Sequence, residues 1–256
     1  MSDPTDVPVR DAATVALLRD GASGIEAWML TRVRGMVFAA GTTVFPGGRV
    51  DPADADLPFP AGAEERVGER FGCAALLARA LLGAAVRETF EETGVLLTQP
   101  PANLADERGE VEAGRLSFGA LLRENGLRVD AEALRPWSRW ITPVGEVRRY
   151  DTRFFVGALP AGAEALDVTT ESSAASWVGL DDALERAQRG VHVLLPPTLA
   201  TLTSLKPFSS VAEAMAAADD RSLSPVRPRL RLMDDGTIRA EVGDGTSFLL
   251  PKSPSR

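Results

Sequence analysis

Three glutamates lie close together in the first half of the chain, at Glu88, Glu91 and Glu92. On a helix, spacings of three and four residues place all three carboxylates on one face. Like charges so close repel one another, and a divalent cation bound among them relieves that repulsion. Mg²⁺ and Mn²⁺ prefer such hard oxygen ligands. The alternative is a solvated acidic helix face, which is the ordinary arrangement for clustered glutamates.

The residues around this cluster favour the metal site. Apolar residues at helical spacing predict a helix over residues 70–93, ended by Gly94. Arg87 lies four residues before Glu91 and can pair with it. Upstream, Gly47 and Gly48 follow a proline, and glycine backbone can approach a metal or a phosphate closely.

This pattern resembles a known family motif. The second half of the Nudix box is matched by Arg87-Glu88-x-x-Glu91-Glu92-x-Gly94-Val95, and its glycine start by Pro46-Gly47-Gly48. The glycine pair lies about 25 residues farther from the arginine than in the usual box. That split resembles the branch of Nudix hydrolases that includes peroxisomal coenzyme A diphosphatases. The resemblance covers about residues 10–206.

The resemblance implies an enzyme that hydrolyses a diphosphate linkage in a nucleoside diphosphate derivative. Coenzyme A or an acyl-coenzyme A is the favoured substrate because of the split box, although the coenzyme A signature of other members is not visible upstream. The alternatives are an NADH or ADP-ribose diphosphatase and a non-catalytic Nudix-fold nucleotide-binding module. The intact glutamate set disfavours the binding module.

The resemblance also implies the site residues and the cofactor, Mg²⁺ or Mn²⁺. The predicted metal ligands and catalytic residues are Glu88, Glu91 and Glu92, with Arg87 and Glu171 completing the catalytic set. One of the three glutamates, or a later acid, would act as general base. Glu171 is a later candidate because it precedes Trp177 by six residues, a spacing that resembles the family's acid. Glu146 is a second candidate for that role. The predicted substrate-binding residues are Gly47, Gly48, Arg49, Arg32 and Arg153, and a surface salt bridge is the alternative for each arginine.

One position of the box stays open. The usual box has a glutamate eight residues before the arginine, where this chain has Arg79. Counting forward from Gly48 gives Asp54 instead. Three acids of the inserted segment are further candidates: Glu64, Glu65 and Glu69. In the family this residue mainly supports the geometry of the loop and helix.

The order of elements predicts the architecture. Apolar runs indicate strands at residues 13–18, 25–32, 140–142, 153–159 and 174–178, and a helix at 180–189. With the long helix, they predict an α+β or mixed α/β/α layered domain. The resemblance implies a Nudix-type α/β/α sandwich with a mixed central sheet. Residues 51–69, rich in Pro, Asp and Ala, are predicted to form a surface loop. We expect a hydrolase domain over residues 1–206 and a helix and β-hairpin extension over 207–256.

Composition narrows the partners. The chain has 36 acidic and 28 basic residues and a net charge of −8, which disfavours a nucleic acid partner. The small-molecule diphosphate partner is what the Nudix resemblance implies. The single cysteine, Cys73, excludes an internal disulfide and favours a reducing, cytoplasmic compartment. The longest apolar stretch is interrupted by Arg79, so we expect no membrane span. A homodimer is an open alternative to a monomer.

Overall fold

The computed structural model describes residues 7–32, 41–167, 172–234, 237–243 and 245–250. Within these ranges the strands are β1 (Val9–Gly21), β2 (Gly24–Arg32), β3 (Thr43–Val44), β4 (Gly47–Arg49), β5 (Thr98–Gln99), β6 (Arg128–Val129), β7 (Leu134–Ile141), β8 (Arg149–Ala158), β9 (Ser172–Gly179), β10 (Arg229–Leu232), β11 (Ile238–Glu241) and β12 (Ser247–Leu250). The helices are α1 (Glu65–Phe71), α2 (Ala75–Thr93), α3 (Arg108–Glu112), α4 (Phe118–Glu124), α5 (Leu180–Gln188), α6 (Pro196–Leu205) and α7 (Val211–Ala217).

A mixed seven-stranded sheet forms the centre of the fold. Its main path is β3-β2-β1-β8-β7, with β4 paired to β1 and β9 paired to β2. β1 and β8 run parallel, and the other pairs are antiparallel. β1 and β2 pair with each other only near their shared turn; beyond it, β2 pairs with β3 and β1 pairs with β4. The short β4 strand therefore carries Gly47 and Gly48 into the gap where β1 and β2 separate.

Helices cover both faces of this sheet. Because side chains alternate along a strand, β1 supplies two hydrophobic clusters on opposite sides. Ala13, Val15 and Leu17 pack in one cluster with the apolar residues of α2 and α4. Ala16 and Leu18 pack in the other, with residues of α5, α6 and α7. The predicted α+β fold, three layers with a mixed central sheet, is confirmed.

The long helix predicted over residues 70–93 is two helices. α1 ends at Gly72, whose φ of +60° is in the left-handed region that glycine adopts readily. α2 then begins at Ala75 and carries the glutamates to Thr93. The prediction was wrong at the start of the helix and right at its end.

The prediction of a surface loop at residues 51–69 was wrong. A short 3-10 helix spans Pro52–Asp56 and α1 begins at Glu65. Leu57 and Val67 are buried in the same hydrophobic cluster as α2, together with Phe71 just beyond the segment. The inserted segment is therefore part of the core that supports α2.

The last part of the described chain adds a small antiparallel sheet, β10-β11-β12. The predicted hairpin corresponds to β10 and β11, while its turn at residues 235–236 lies outside the described residues. The rings of Phe248 and Trp140 are 6.1 Å apart, and the Ile141 amide donates to the Val226 carbonyl at 2.9 Å. The boundary at residue 206 stays a prediction. Among the described residues, no helix has both the length and the apolar character to cross a membrane.

Candidate active site

The glycine pair of β4 lies against the glutamate face of α2. The Gly47 amide donates a hydrogen bond of 2.9 Å to Oε2 of Glu92. A Cβ atom built on Gly48 would lie 2.5 Å from Cδ of Glu88, so a side chain here would displace that carboxylate. The glycines therefore bring backbone directly against two of the predicted ligands.

Arg87 joins this helix face to the segment that follows β4. Its Nε and Nη2 atoms donate to the two carboxylate oxygens of Asp54 at 2.7 and 3.0 Å. Its Nη1 atom donates to Glu88 at 2.8 Å and to Glu91 at 3.2 Å. Burial by itself would lower the pKa of Arg87, but the hydrogen bond to Asp54 and the neighbouring carboxylates raise it. Arg87 therefore stays charged and holds three acidic side chains.

Asp54 occupies the position that the sequence left open. Its side chain is 2% exposed and forms the two-pronged ion pair with Arg87. Arg79, the residue at the usual spacing, instead donates to the Ala55 carbonyl and stacks on Phe59. Counting forward from the glycines therefore finds this acid, and the rest of the inserted segment lies between Asp54 and α2.

The glutamates are partly withdrawn from water. The side chains of Glu88 and Glu91 are 15% and 18% exposed, and Glu92 is buried. Burial raises the pKa of Glu91 to about 7; Arg87 opposes this shift and the Glu88 carboxylate adds to it. Together with Asp54, the cluster contains four carboxylates and one guanidinium. This excess of buried negative charge suits a bound cation.

The donor set fits a hard divalent cation, subject to a rearrangement. As the side chains stand, no group of three Asp, Glu, His or Cys residues in the described part of the chain is placed to hold a metal ion. Glu88 and Glu91 are turned to Arg87, and Glu92 to Gly47. A cation would bind if these carboxylates exchanged those partners for the ion. Oxygen ligands of this kind suit Mg²⁺ or Mn²⁺.

Two of the predicted substrate-binding arginines lie at the ends of strands. Arg49 is the last residue of β4, and its half-exposed guanidinium pairs with Asp51 at 2.9 Å. Its carbonyl accepts from Arg87 at 3.1 Å, so it is directly beside the glutamate cluster. Arg32 ends β2, where its amide donates to the Thr42 carbonyl at 2.9 Å.

Arg153 has a structural position instead of the predicted substrate-binding one. It is 3% exposed, and its guanidinium pairs with Asp11 and donates to the Asp151 carbonyl. Asp151 also pairs with Arg139 at 2.7 Å. A guanidinium enclosed in this network cannot reach a substrate phosphate. The ion pair between Arg153 and Asp11 was not predictable from the sequence. Asp11 lies on β1, and only strand pairing brings it to β8.

Of the two later candidates for general base, Glu171 and Glu146, the structure describes only one. Glu171 lies outside the described residues. Glu146 lies in the connection between β7 and β8 and is half-buried. The identity of the base stays a prediction.

Comparison with known proteins now identifies the family. A family model described as the NUDT19 Nudix domain matches residues 75–205, which is about half of the chain. The chain belongs to the Nudix hydrolase family. The match begins at the first residue of α2 and so contains Arg87 and all three glutamates. The resemblance to the branch related to coenzyme A diphosphatases is confirmed.

Individual Nudix proteins support the same assignment. The acyl-coenzyme A diphosphatase NUDT19 of Gallus gallus is 31% identical over 199 residues, covering 66% of this chain and 52% of that protein. Its Homo sapiens counterpart is 29% identical over 182 residues, or 62% and 48% of the two chains. This chain therefore spans about half the length of these relatives. A solved structure of a Nudix hydrolase from Alicyclobacillus acidocaldarius is 31% identical with a TM-score of 0.69, covering 82% of this chain and 97% of that one.

Proposed function

We propose that this protein hydrolyses the diphosphate linkage of a nucleoside diphosphate derivative with the help of a divalent cation. The observation that carries the proposal is the buried carboxylate cluster of α2, packed against the glycine pair of β4. The excess negative charge of this cluster suits a bound cation. The protein belongs to a family of diphosphate hydrolases. Glu88, Glu91 and Glu92 would hold Mg²⁺ or Mn²⁺.

The chain's own residues would bind and orient the diphosphate. When bound, the cation would neutralise phosphate charge and lower the pKa of a water molecule that attacks phosphorus. Gly47 and Gly48 would keep the backbone of β4 directly against the carboxylates of Glu92 and Glu88. Arg49, half-exposed beside the cluster, would contact the departing phosphate, and Arg32 is a second candidate. Arg87, held in place by Asp54, would balance the charge of the glutamates and would not touch substrate.

Coenzyme A and acyl-coenzyme A are the substrates we propose first. The support is the split box and the names of the relatives from Gallus gallus and Homo sapiens. NADH and ADP-ribose have the same linkage and are the alternatives. The proposal also comprises a cytoplasmic location and a function without nucleic acid, supported by the single free cysteine and the net charge of −8. A measurement of the protein's mass in solution would show whether it is a homodimer.

A substrate panel tests this assignment. Coenzyme A, acetyl-coenzyme A, NADH and ADP-ribose are each incubated with the protein and Mg²⁺ or Mn²⁺, and products are identified by mass spectrometry. We expect cleavage of coenzyme A to 4′-phosphopantetheine and adenosine 3′,5′-bisphosphate, faster than cleavage of the other compounds. Preferential release of AMP from NADH or ADP-ribose would contradict the substrate. Binding of these compounds without turnover would indicate the non-catalytic module.

Divalent cations are expected to stabilise the folded protein. A ligand that binds only the native state at about 100 times its Kd adds about 2.7 kcal/mol. For a chain of this size, that raises Tm by about 5–10 °C. The measurement is thermal unfolding with and without Mg²⁺, with KCl at equal ionic strength as the control for screening. Glu91→Gln should lose most of this shift, and an equal shift in that variant would contradict the ligand assignment.

A further inference from the structure

The 3-10 helix at Pro52–Asp56 lies directly on α2 at a single glycine. Gly83 is buried in the middle of α2. A Cβ atom built there would overlap the carbonyl oxygen of Asp54 and lie 2.8 Å from its carbonyl carbon. A helix interior ordinarily favours alanine over glycine. The glycine is therefore required here by the space that Asp54 backbone occupies, and not by the conformation of α2.

The close approach of the Asp54 backbone to Gly83 matters because an aspartate side chain is shorter than a glutamate side chain. Its carboxylate must span the distance to Arg87, which lies one helical turn after Gly83 on the same face. It reaches Nε at 2.7 Å and Nη2 at 3.0 Å, and it also accepts the Asp51 amide at 2.7 Å. The usual box has a glutamate at this position, whose extra methylene adds about 1.5 Å of reach. With aspartate, the backbone itself has to lie nearer to α2.

We propose that Gly83 is a positioning residue that allows the short Asp54 carboxylate to hold Arg87. Arg87 in turn donates to Glu88 and Glu91, so the effect of Gly83 reaches the carboxylate cluster through two ion-paired side chains. Gly83 touches neither substrate nor cation. The consequence for kcat rests on the proposed function, whereas the consequence for stability does not.

The first test is Gly83→Ala. The added methyl group forces the Asp54 carbonyl back by about 1 Å, since non-bonded atoms need more than 3 Å. We expect Tm to fall by about 5 °C or more. We expect kcat on the diphosphate substrate to fall about 10-fold or more, with little change in KM, because Arg49 is untouched. Gly109→Ala is the matched control: this helical glycine of α3 has nothing near its Cβ position, and its Tm should stay equal or rise.

The decisive test is rescue by a longer acid. In Asp54→Glu/Gly83→Ala, the glutamate reaches Arg87 from a backbone that has moved back. We expect this double variant to recover at least half of the Tm and kcat lost in Gly83→Ala. If the single variant does not fold, Asp54→Glu is compared with the double variant, and their Tm values should agree within about 2 °C.

Two results would overturn the proposal. One is a Gly83→Ala protein as stable and active as the wild type. The other is a double variant no better than Gly83→Ala, or much less stable than Asp54→Glu. Wild-type protein that cleaves no diphosphate would refute the proposed function alone, because the Tm comparison would still decide the role of Gly83.

Discussion

Glu92→Gln is expected to lower kcat for diphosphate hydrolysis by at least about 100-fold, because even residues that only support metal ligands cost up to that factor. Glutamine retains an oxygen that can accept the Gly47 hydrogen bond, so the contact between β4 and α2 should persist. What is lost is the negative charge available to a cation. The measurement is the initial rate of product release across a series of Mg²⁺ concentrations.

The matched control for this variant is Glu185→Gln. Glu185 is a glutamate of α5 that pairs with Arg189 at i,i+4 and is 60% exposed. Its replacement should leave kcat within about twofold, because exposed ion pairs contribute little. Equal rates in Glu92→Gln and the wild type would refute the assignment of Glu92 as a ligand.

Arg87→Met is expected to destabilise the protein by about 3–5 kcal/mol, the usual cost of leaving one buried charge without its partner. Asp54 would lose both hydrogen bonds from Arg87 while its side chain stays almost inaccessible to water. The repulsion among Glu88, Glu91 and Asp54 would also lose its compensating charge. Tm should fall by about 6–20 °C, measured by thermal unfolding in the presence of a chelator.

Arg115→Met provides the comparison. Arg115 forms an ion pair with Glu110 at 2.7 Å, but both side chains are more than half exposed. Its removal should leave Tm almost unchanged, because exposed ion pairs contribute little to stability. A loss in Arg87→Met no larger than in Arg115→Met would show that the buried network does not hold the fold together.

The part of α2 that carries the glutamates was predictable from sequence because its signals are local. The apolar spacing of α2, the glutamates at i, i+3 and i+4, and the glycine after Thr93 all lie within one segment. Strand predictions around β1, β2, β8 and β9 succeeded for the same reason: their apolar residues lie close together in the sequence. These local patterns suffice for the α/β/α layers and for the family.

The inserted segment was not predictable because its role depends on distant partners. Its apolar residues are sparse among Pro, Asp and Ala, which is the composition of a loop. Leu57 and Val67 become core residues only because α2 and the sheet supply the matching surface. Likewise, Arg70 donates two hydrogen bonds of 2.8 Å to the carbonyls of Ala218 and Arg221, far along the chain.

The residue types of the site were predictable from the sequence, but the ion-pair partners of its side chains were less so. The count from Gly48 indicates Asp54 for the open position of the box, but three other acids are also candidates from sequence. Only the ion pair with Arg87 distinguishes Asp54 from them. The ion pair of Arg153 was not predictable because an arginine on a strand carries no sequence signal for its partner. The partner, Asp11, is set by the parallel register of β1 and β8.

Locating the bound cation in a crystal is the most direct test of the proposed active site. Crystals soaked in Mn²⁺ give an anomalous signal that locates the ion independently of any kinetic result. We expect Mn²⁺ about 2–2.5 Å from carboxylate oxygens of Glu88, Glu91 and Glu92, with the Arg87 contacts to Glu88 and Glu91 broken or lengthened. Mn²⁺ bound only elsewhere, in crystals that still cleave a diphosphate, would contradict the assignment of this helix face as the active site.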